Sequence, residues 1–130
     1  MNQTVRVLIV DDQPLAREGL HTLLALSPQV EVVGIAVNGQ ESLKLVAECQ
    51  PDVVLMDMQM AAMDGVEATH RIKKQWPEVK VIALTMYADY RSRALAAGAD
   101  AFLLKGTPAQ ILHHAIMALA QNDLAHKWKK

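Results

Sequence analysis

The chain has 130 residues, 52% of them hydrophobic and 21% charged, which predicts one compact domain with its own core. This hydrophobic content excludes an intrinsically disordered chain, and a single cysteine, Cys49, excludes a disulfide scaffold. Thirteen Lys and Arg residues nearly balance fourteen Asp and Glu residues, for a formal charge of -1, and a dedicated nucleic-acid binder would be more basic. No apolar run approaches the roughly 20 residues that cross a bilayer, so we expect a soluble cytoplasmic domain without membrane contact.

Short apolar runs alternate with helical patterns along the whole chain. The runs that are typical of strands are Val5–Val10, Val30–Gly34, Val53–Met56, Val79–Leu84 and Ala101–Leu104. The first run is too apolar for a half-exposed strand and is typical of a buried parallel strand. The second is more mixed, as expected at the edge of a sheet.

Helix-end signals occupy the segments between these runs. They are Pro14, Asn38 with Glu41, Asp64 with Glu67, Asp89–Ala97 before Gly98, and Thr107 with Pro108. The two pairs that include a glutamate resemble capping boxes, and Thr107 with Pro108 predicts the cap and first turn of a fifth helix.

Five strands that alternate with five helices predict an α/β fold, with right-handed crossovers and a parallel sheet covered by helices on both faces. In such doubly wound folds, ligands bind beyond the carboxyl ends of the strands. The residues that end the strands are therefore the candidates for a functional site.

Polar residues follow four of the predicted strands. They are Asp11, Asp12, Asp57, Thr85 and Lys105. Each alone has a structural explanation, as a helix cap, a strand end or a solvated lysine, but the fold brings all five to one edge. Clustered carboxylates repel one another unless a cation compensates, and Mg²⁺ takes carboxylate oxygens. One carboxylate could then attack phosphorus, with a lysine and a hydroxyl group assisting.

Six ordered motifs carry a resemblance to a known family. They are Leu8–Asp12, Asp52–Asp57, Met63–Gly65, Leu84–Thr85, Gly98–Asp100 and Phe102–Lys105. Over residues 4–120 the chain resembles the receiver domain of bacterial two-component response regulators. Val32–Gly34, Asn38–Gly39 and Leu84–Met86 are most similar to the NarL/FixJ (LuxR-type) subgroup. The resemblance implies a flavodoxin-like (CheY-like) fold with strand order 2-1-3-4-5.

The resemblance also implies the chemistry. Asp57 would accept a phosphoryl group from a phosphohistidine of a sensor histidine kinase, and Lys105 would contact that group. Asp11 and Asp12 would hold Mg²⁺ together with Asp57 and the backbone carbonyl of Gln59. We expect a phosphoacceptor domain that assists its own phosphotransfer and dephosphorylation, and not an enzyme.

Four residues would connect this chemistry to an output. By the same resemblance, Thr85 and Phe102 are the switch residues, and Gln59 and Tyr87 flank the phosphoryl group and tune its loss. Phosphorylation would change dimerisation of the chain or another output surface.

The subgroup usually carries a helix-turn-helix domain, which implies control of transcription. We therefore expect a receiver domain over residues 1–122, and over residues 123–130 a tail or the start of a linker to a C-terminal DNA-binding domain. The alternative is a stand-alone receiver that serves as a phosphorelay shuttle or a protein-interaction module. Two enzyme classes fit poorly. A dehalogenase-like phosphatase needs Asp where Gln59 stands, and a flavodoxin needs a phosphate loop where Asp11 and Asp12 stand.

Two features depart from the family pattern. Ala61 replaces a proline that often precedes the Met63–Gly65 motif, at an expected cost of about 0.4–1 kcal/mol through the unfolded state. The stretch from Thr85 to Gly98 is about two residues short, and two residues rotate a helical face by about 200°. We therefore expect the loop or the first turn of the fourth helix to absorb the difference.

Overall fold

The computed structural model describes the backbone of residues 4–128 and the side chains of residues 4–121. The elements are β1 Val5–Val10, α1 Pro14–Ala25, β2 Val30–Ala36, α2 Gly39–Cys49, β3 Val53–Asp57, α3 Gly65–Gln75, β4 Lys80–Thr85, α4 Arg91–Ala96, β5 Ala101–Leu104 and α5 Ala109–Trp128. A 3₁₀ turn, Ala88–Tyr90, precedes α4. The predicted alternation of strands and helices is confirmed.

All neighbouring strands are parallel, and the sheet order is β2-β1-β3-β4-β5. The chain reverses direction across the sheet after β2, so β1 and β3 lie side by side at its centre. Their carboxyl ends form the crevice in which ligands bind in folds of this class. The predicted doubly wound fold and strand order are therefore confirmed.

Two hydrophobic layers cover the sheet because side chains along a strand point alternately to its two faces. Leu8 and Val10 of β1 join the layer under α2, α3 and α4, whereas Val7 and Ile9 join the layer under α1 and α5. Both layers are apolar, which explains why the first strand lacks the polar alternation of a half-exposed strand.

The caps of α2 and α3 follow the predicted pattern. The side chain of Asn38 accepts a hydrogen bond from the amide of Glu41 at 2.7 Å, and that of Asp64 accepts one from the amide of Glu67 at 2.9 Å. The reciprocal bond of a capping box is altered in α2, where the Glu41 carboxylate accepts from the amide of Val37 at 3.0 Å. These caps anchor the helices beside β1 and β3.

Several element boundaries differ from the prediction, by one residue in β3 and β4 and by two residues in β2. β2 extends to Ala36 because Ala36 pairs with Val10 along β1, beyond the predicted end at Gly34. Thr107 was predicted to cap α5, with Pro108 in its first turn, and this prediction is wrong. The hydroxyl of Thr107 donates to the carbonyl oxygen of Leu104 at 2.6 Å, and the helix begins at Ala109.

The shortened segment before Gly98 has an uneven helical structure. A 3₁₀ turn occupies the part where the sequence pattern predicts the first helical turn, and only six residues form α4. Gly98 ends this helix with φ +106°, a conformation that a side chain disfavours. The loop and first turn therefore differ from a regular helix, as expected, and α4 contributes only Ala94 to the buried core.

The helical backbone of α5 continues to Trp128, past the boundary at residue 122 drawn from the sequence. The side chains of the proposed tail, residues 123–130, lie outside the described part of the chain. Among residues 4–128, no helix has both the length and the apolar character needed to cross a membrane.

Candidate functional site

Asp57 is the last residue of β3, at the centre of the sheet and at its carboxyl edge. Only 4% of the residue is exposed. One carboxylate oxygen, Oδ1, accepts a hydrogen bond from the amide of Gln59 at 3.2 Å, and Oδ2 lies 3.4 Å from Nζ of Lys105. Asp57 is therefore held in the site by an amide and a cation.

Gly65 allows the first turn of α3 to approach the end of β3. Its amide donates to the carbonyl oxygen of Met58 at 3.1 Å. A Cβ atom at this position would overlap the carbonyl oxygen of Asp57, which is backbone and cannot move aside. The glycine of the Met63–Gly65 motif thus has a direct steric reason, and it helps to set the position of Asp57.

Asp11, the residue after β1, is buried and has a partner for each of its polar groups. Its amide donates to the carbonyl oxygen of Ala36 at 3.1 Å, and its own carbonyl oxygen accepts from Nη1 of Arg17 at 3.0 Å. Carboxylate oxygen Oδ1 accepts from the amide of Gln13 at 2.9 Å, and Oδ2 pairs with Nζ of Lys105 at 2.7 Å. Asp11 is not the cap of α1. Gln13 takes that position, and its side chain makes no capping bond.

Asp12 completes a group of three carboxylates. One oxygen each from Asp11, Asp12 and Asp57 can be chosen so that all lie within 4.8 Å of one another. Asp12 is half-buried, and among residues 4–121 its carboxylate has no hydrogen bond or ion pair. Three hard oxygen donors at this separation fit a cation such as Mg²⁺. The predicted convergence of these carboxylates at one edge is therefore present.

Burial and the neighbouring charges both affect the pKa of Asp57. Burial, and then the negative charge of Asp11, raise the pKa of Asp57 to about 6, while Lys105 and the Gln59 amide oppose the shift. For Lys105, burial alone would lower the pKa. The hydrogen bond to Asp11 and the charges of Asp57 and Asp11 outweigh burial and raise it. Lys105 is therefore a firmly protonated cation between two carboxylates.

The other predicted residues lie around the same crevice or close to it. Thr85, at the end of β4, is fully buried, and its Oγ1 accepts from the amide of Tyr87 at 3.2 Å. An open pocket over Asp57 is lined by Thr85, Tyr87 and the exposed Gln59. Phe102 does not line this pocket. It is half-buried in β5, with the guanidinium carbon of Arg91 5.9 Å from its ring centre.

Sequence reasoning missed several residues of the site. Gln13 and Met86 also line the pocket, and Arg17 holds the carbonyl of Asp11. Ala62, in the loop after Asp57, has φ 61°, a left-handed conformation that disfavours residues with a side chain. The positions of Gln13 immediately after Asp12 and of Met86 immediately after Thr85 could have indicated that they lie in the pocket. The contact of Arg17 and the conformation of Ala62 depend on backbone geometry that no motif shows.

The chain belongs to the response regulator receiver domain family, which it matches over residues 7–117. Its fold and its cluster of strand-end acids are thus those of a signalling domain of two-component systems. The predicted family is confirmed, and similar proteins support the LuxR/NarL subgroup.

Response regulator protein VraR of Staphylococcus aureus is 39% identical over 122 residues, which are 92% of this chain and 58% of that protein. This chain therefore spans less than two thirds of the length of VraR. Among solved structures, the signal receiver domain of NarL from Mycobacterium tuberculosis has a TM-score of 0.86 at 34% identity, over 92% of this chain and 98% of that one. A LuxR-family DNA-binding response regulator from Staphylococcus aureus has a TM-score of 0.83 at 29% identity, over 89% of this chain and 98% of that one.

Proposed function

We propose that this receiver domain is switched by phosphorylation of Asp57, with a sensor histidine kinase as the donor. The observation that carries the proposal is the buried carboxylate at the end of β3. It has a lysine ammonium group 3.4 Å away and two further aspartates close enough to share a cation with it. A carboxylate can serve as a covalent acceptor of a phosphoryl group.

Mg²⁺ is the cofactor that these residues fit. Asp11, Asp12, Asp57 and the backbone carbonyl of Gln59 would hold it. The raised pKa of Asp57 supports this assignment, because both of its causes, burial of the carboxylate and then the negative charge of Asp11, are offset by a cation bound beside it. When bound, Mg²⁺ supplies positive charge to the phosphoryl oxygens during transfer.

Each residue of the site would have a separate role in the phosphoryl transfer. A carboxylate oxygen of Asp57 forms the new bond to phosphorus as the phosphorus–nitrogen bond of the donor phosphohistidine breaks. The electron pair of that bond stays with the imidazole nitrogen. The ammonium group of Lys105 and the hydroxyl of Thr85 stabilise the phosphoryl oxygens, since most catalysis of this reaction consists of positioning and charge neutralisation. Gln59 and Tyr87, on the wall of the pocket, set how readily water reaches the product.

The output of the switch follows from Thr85 and Phe102. Thr85 turns toward the phosphoryl group, and Phe102 changes its packing in β5, which alters a surface that binds a second copy of the chain or another partner. The printed name of one similar structure describes a DNA-binding response regulator of the LuxR family. We therefore propose transcription control as the output of the whole protein, through a C-terminal domain outside residues 1–130. Cytoplasmic placement, where a kinase and DNA are accessible, belongs to the same proposal.

The test is covalent labelling with a small phosphoryl donor. The protein is incubated with acetyl phosphate and Mg²⁺, and the phosphorylated fraction is measured by intact-protein mass spectrometry. Wild type should gain one phosphoryl group, and Asp57→Asn should gain none because an amide oxygen is a poor nucleophile. Asp89→Asn, which removes an exposed aspartate of the 3₁₀ turn, should be labelled like wild type.

Equal labelling of wild type and Asp57→Asn would show that Asp57 is not the acceptor. Absence of labelling in wild type, when beryllofluoride also leaves its amide NMR spectrum unchanged, would reject the phosphorylation switch altogether.

A further inference from the structure

Asp12 lacks side-chain support, although the proposed function needs its carboxylate at a defined position. Asp11 is held through its amide, its carbonyl and both carboxylate oxygens. Asp12 is half-buried, and within residues 4–121 no side chain or amide contacts its carboxylate by a hydrogen bond or ion pair. Its direction therefore depends on its backbone.

The peptide between Asp11 and Asp12 is a rigid plane, because its bond has partial double-bond character. The carbonyl oxygen of Asp11 and the amide of Asp12 belong to that plane. Fixing the carbonyl oxygen fixes the orientation of this plane, and with it the position of the Cα atom of Asp12, from which the Asp12 side chain leaves the backbone. One side-chain contact of this carbonyl oxygen is the 3.0 Å bond from Nη1 of Arg17.

Arg17 is well placed to act as such a support. It is half-buried near the start of α1, and its amide closes the first helical turn by donating to the carbonyl oxygen of Gln13 at 3.0 Å. The guanidinium therefore connects a regular helix to the turn that carries Asp11 and Asp12. A guanidinium has several donors in one plane and stays charged at any ordinary pH.

We propose that Arg17 is a positioning residue for the cation site, acting on Asp12 through the Asp11–Asp12 peptide. This inference rests on the proposed function, in which Asp12 holds Mg²⁺. Two effects of Arg17 oppose each other, which makes the inference testable. The positive charge of Arg17 disfavours a nearby cation, so a purely electrostatic role predicts tighter binding when the charge is removed. A positioning role predicts weaker binding.

The experiment measures the affinity of Mn²⁺, a paramagnetic substitute for Mg²⁺, by water-proton relaxation in wild type, Arg17→Met, Arg17→Lys and Asp12→Asn. We expect Arg17→Met to bind about tenfold more weakly, in the range found for residues that orient metal ligands. Arg17→Lys keeps the charge, but its side chain is one bond shorter, so its affinity should also fall. Arg71→Met removes an exposed arginine paired with Glu67 and should bind like wild type.

A second measurement reports on the backbone without any cation. In Arg17→Met, the amides of Asp12 and Gln13 should exchange hydrogen faster and shift in the NMR spectrum, while those of β3 stay in place. Wild-type or tighter affinity in Arg17→Met overturns the proposal. If that variant does not fold, wild-type affinity in Arg17→Lys overturns it.

The two proposals fail in different ways. If wild type and Asp12→Asn bind Mn²⁺ equally weakly, the cation site itself is wrong. If Asp12→Asn loses binding while the Arg17 variants keep it, only the positioning role is wrong.

Discussion

The carboxyl group of Asp57 is costly to ionise in the folded domain. Its pKa is about 6 in the fold against 3.8 for the ordinary group, because of burial and then the charge of Asp11. Between these values the folded chain holds a proton that the unfolded chain has released. Stability therefore falls as pH rises through this window, and the penalty is fully present above it. At 1.36 kcal/mol per pKa unit, the penalty is about 2–3 kcal/mol at pH 8.

We therefore predict that Asp57→Asn is more stable than wild type at pH 8 without Mg²⁺, by up to about 2–3 kcal/mol, because it removes the buried charge. The difference should shrink as pH falls toward 4, where wild type is protonated. Urea unfolding of both proteins from pH 4 to pH 8 measures the difference in their free energies of unfolding and its dependence on pH. Asp89→Asn, at an exposed position, should stay within about 0.5 kcal/mol of wild type. A less stable Asp57→Asn at pH 8, or a gain that does not vary with pH, would contradict this account.

Asp57 also shows how much of the site could be predicted from the sequence. The position of Asp57 after an apolar strand, with Asp11 and Asp12 after another, predicted that the three acids meet, because parallel strands end at one edge. The pairing of Lys105 with Asp11 at 2.7 Å and with Asp57 at 3.4 Å could not be predicted. Lys105 was expected at this edge, and its amide continues the pairing of β5 with β4 by donating to the carbonyl oxygen of Thr85 at 2.7 Å. The particular carboxylate oxygens that its side chain reaches depend on tertiary geometry that no periodicity describes.

At the scale of an element, the loop between β3 and α3 contains a strained residue. Ala62 has φ 61°, and an alanine in this left-handed region costs about 1–2 kcal/mol. The cap at Asp64 and the tight approach of Gly65 to β3 define the far end of the loop, so strain at Ala62 is tolerated. Ala61, which departs from the family pattern, thus lies beside a residue in a strained conformation.

We predict that Ala62→Gly stabilises the domain by about 0.5–1 kcal/mol, which is the relief of strain less the extra entropy that glycine adds to the unfolded chain. Ala61→Gly is a matched control in the same loop, also exposed but without a positive φ. It should destabilise the domain by about 0.4–1 kcal/mol. Thermal and urea unfolding provide the comparison, and the same sign of change in both variants would refute the assignment of strain to Ala62.

Elements were predicted best where local signals agree with the tertiary fold. The caps at Asn38 and Asp64 appear as predicted because a side chain bonds an amide three residues along, a purely local event. The end of β2 at Ala36 was missed because it depends on pairing with Val10, a residue distant in sequence. The shortened segment before α4 was expected to depart from a regular helix, but the sequence pattern did not show that the departure is a 3₁₀ turn.

At the scale of the whole molecule, the acidic cluster exists only when the domain is folded. Asp11 and Asp12 follow β1, Asp57 ends β3, and the parallel pairing of these two strands brings the three carboxylates together. Unfolding separates them, so a cation that binds all three favours the folded state over the unfolded chain. A bound cation would replace the repulsion among the three carboxylates with attraction.

We predict that Mg²⁺ stabilises wild type by about 2.7 kcal/mol at a concentration 100 times its Kd, and so raises Tm by several degrees. Asp57→Asn and Asp12→Asn, which each remove one charged ligand, should show a smaller shift at the same concentration. Calorimetry with KCl at matched ionic strength separates specific binding from screening. An equal shift in wild type and both variants, or with KCl alone, would mean that the three carboxylates do not act as one cation site.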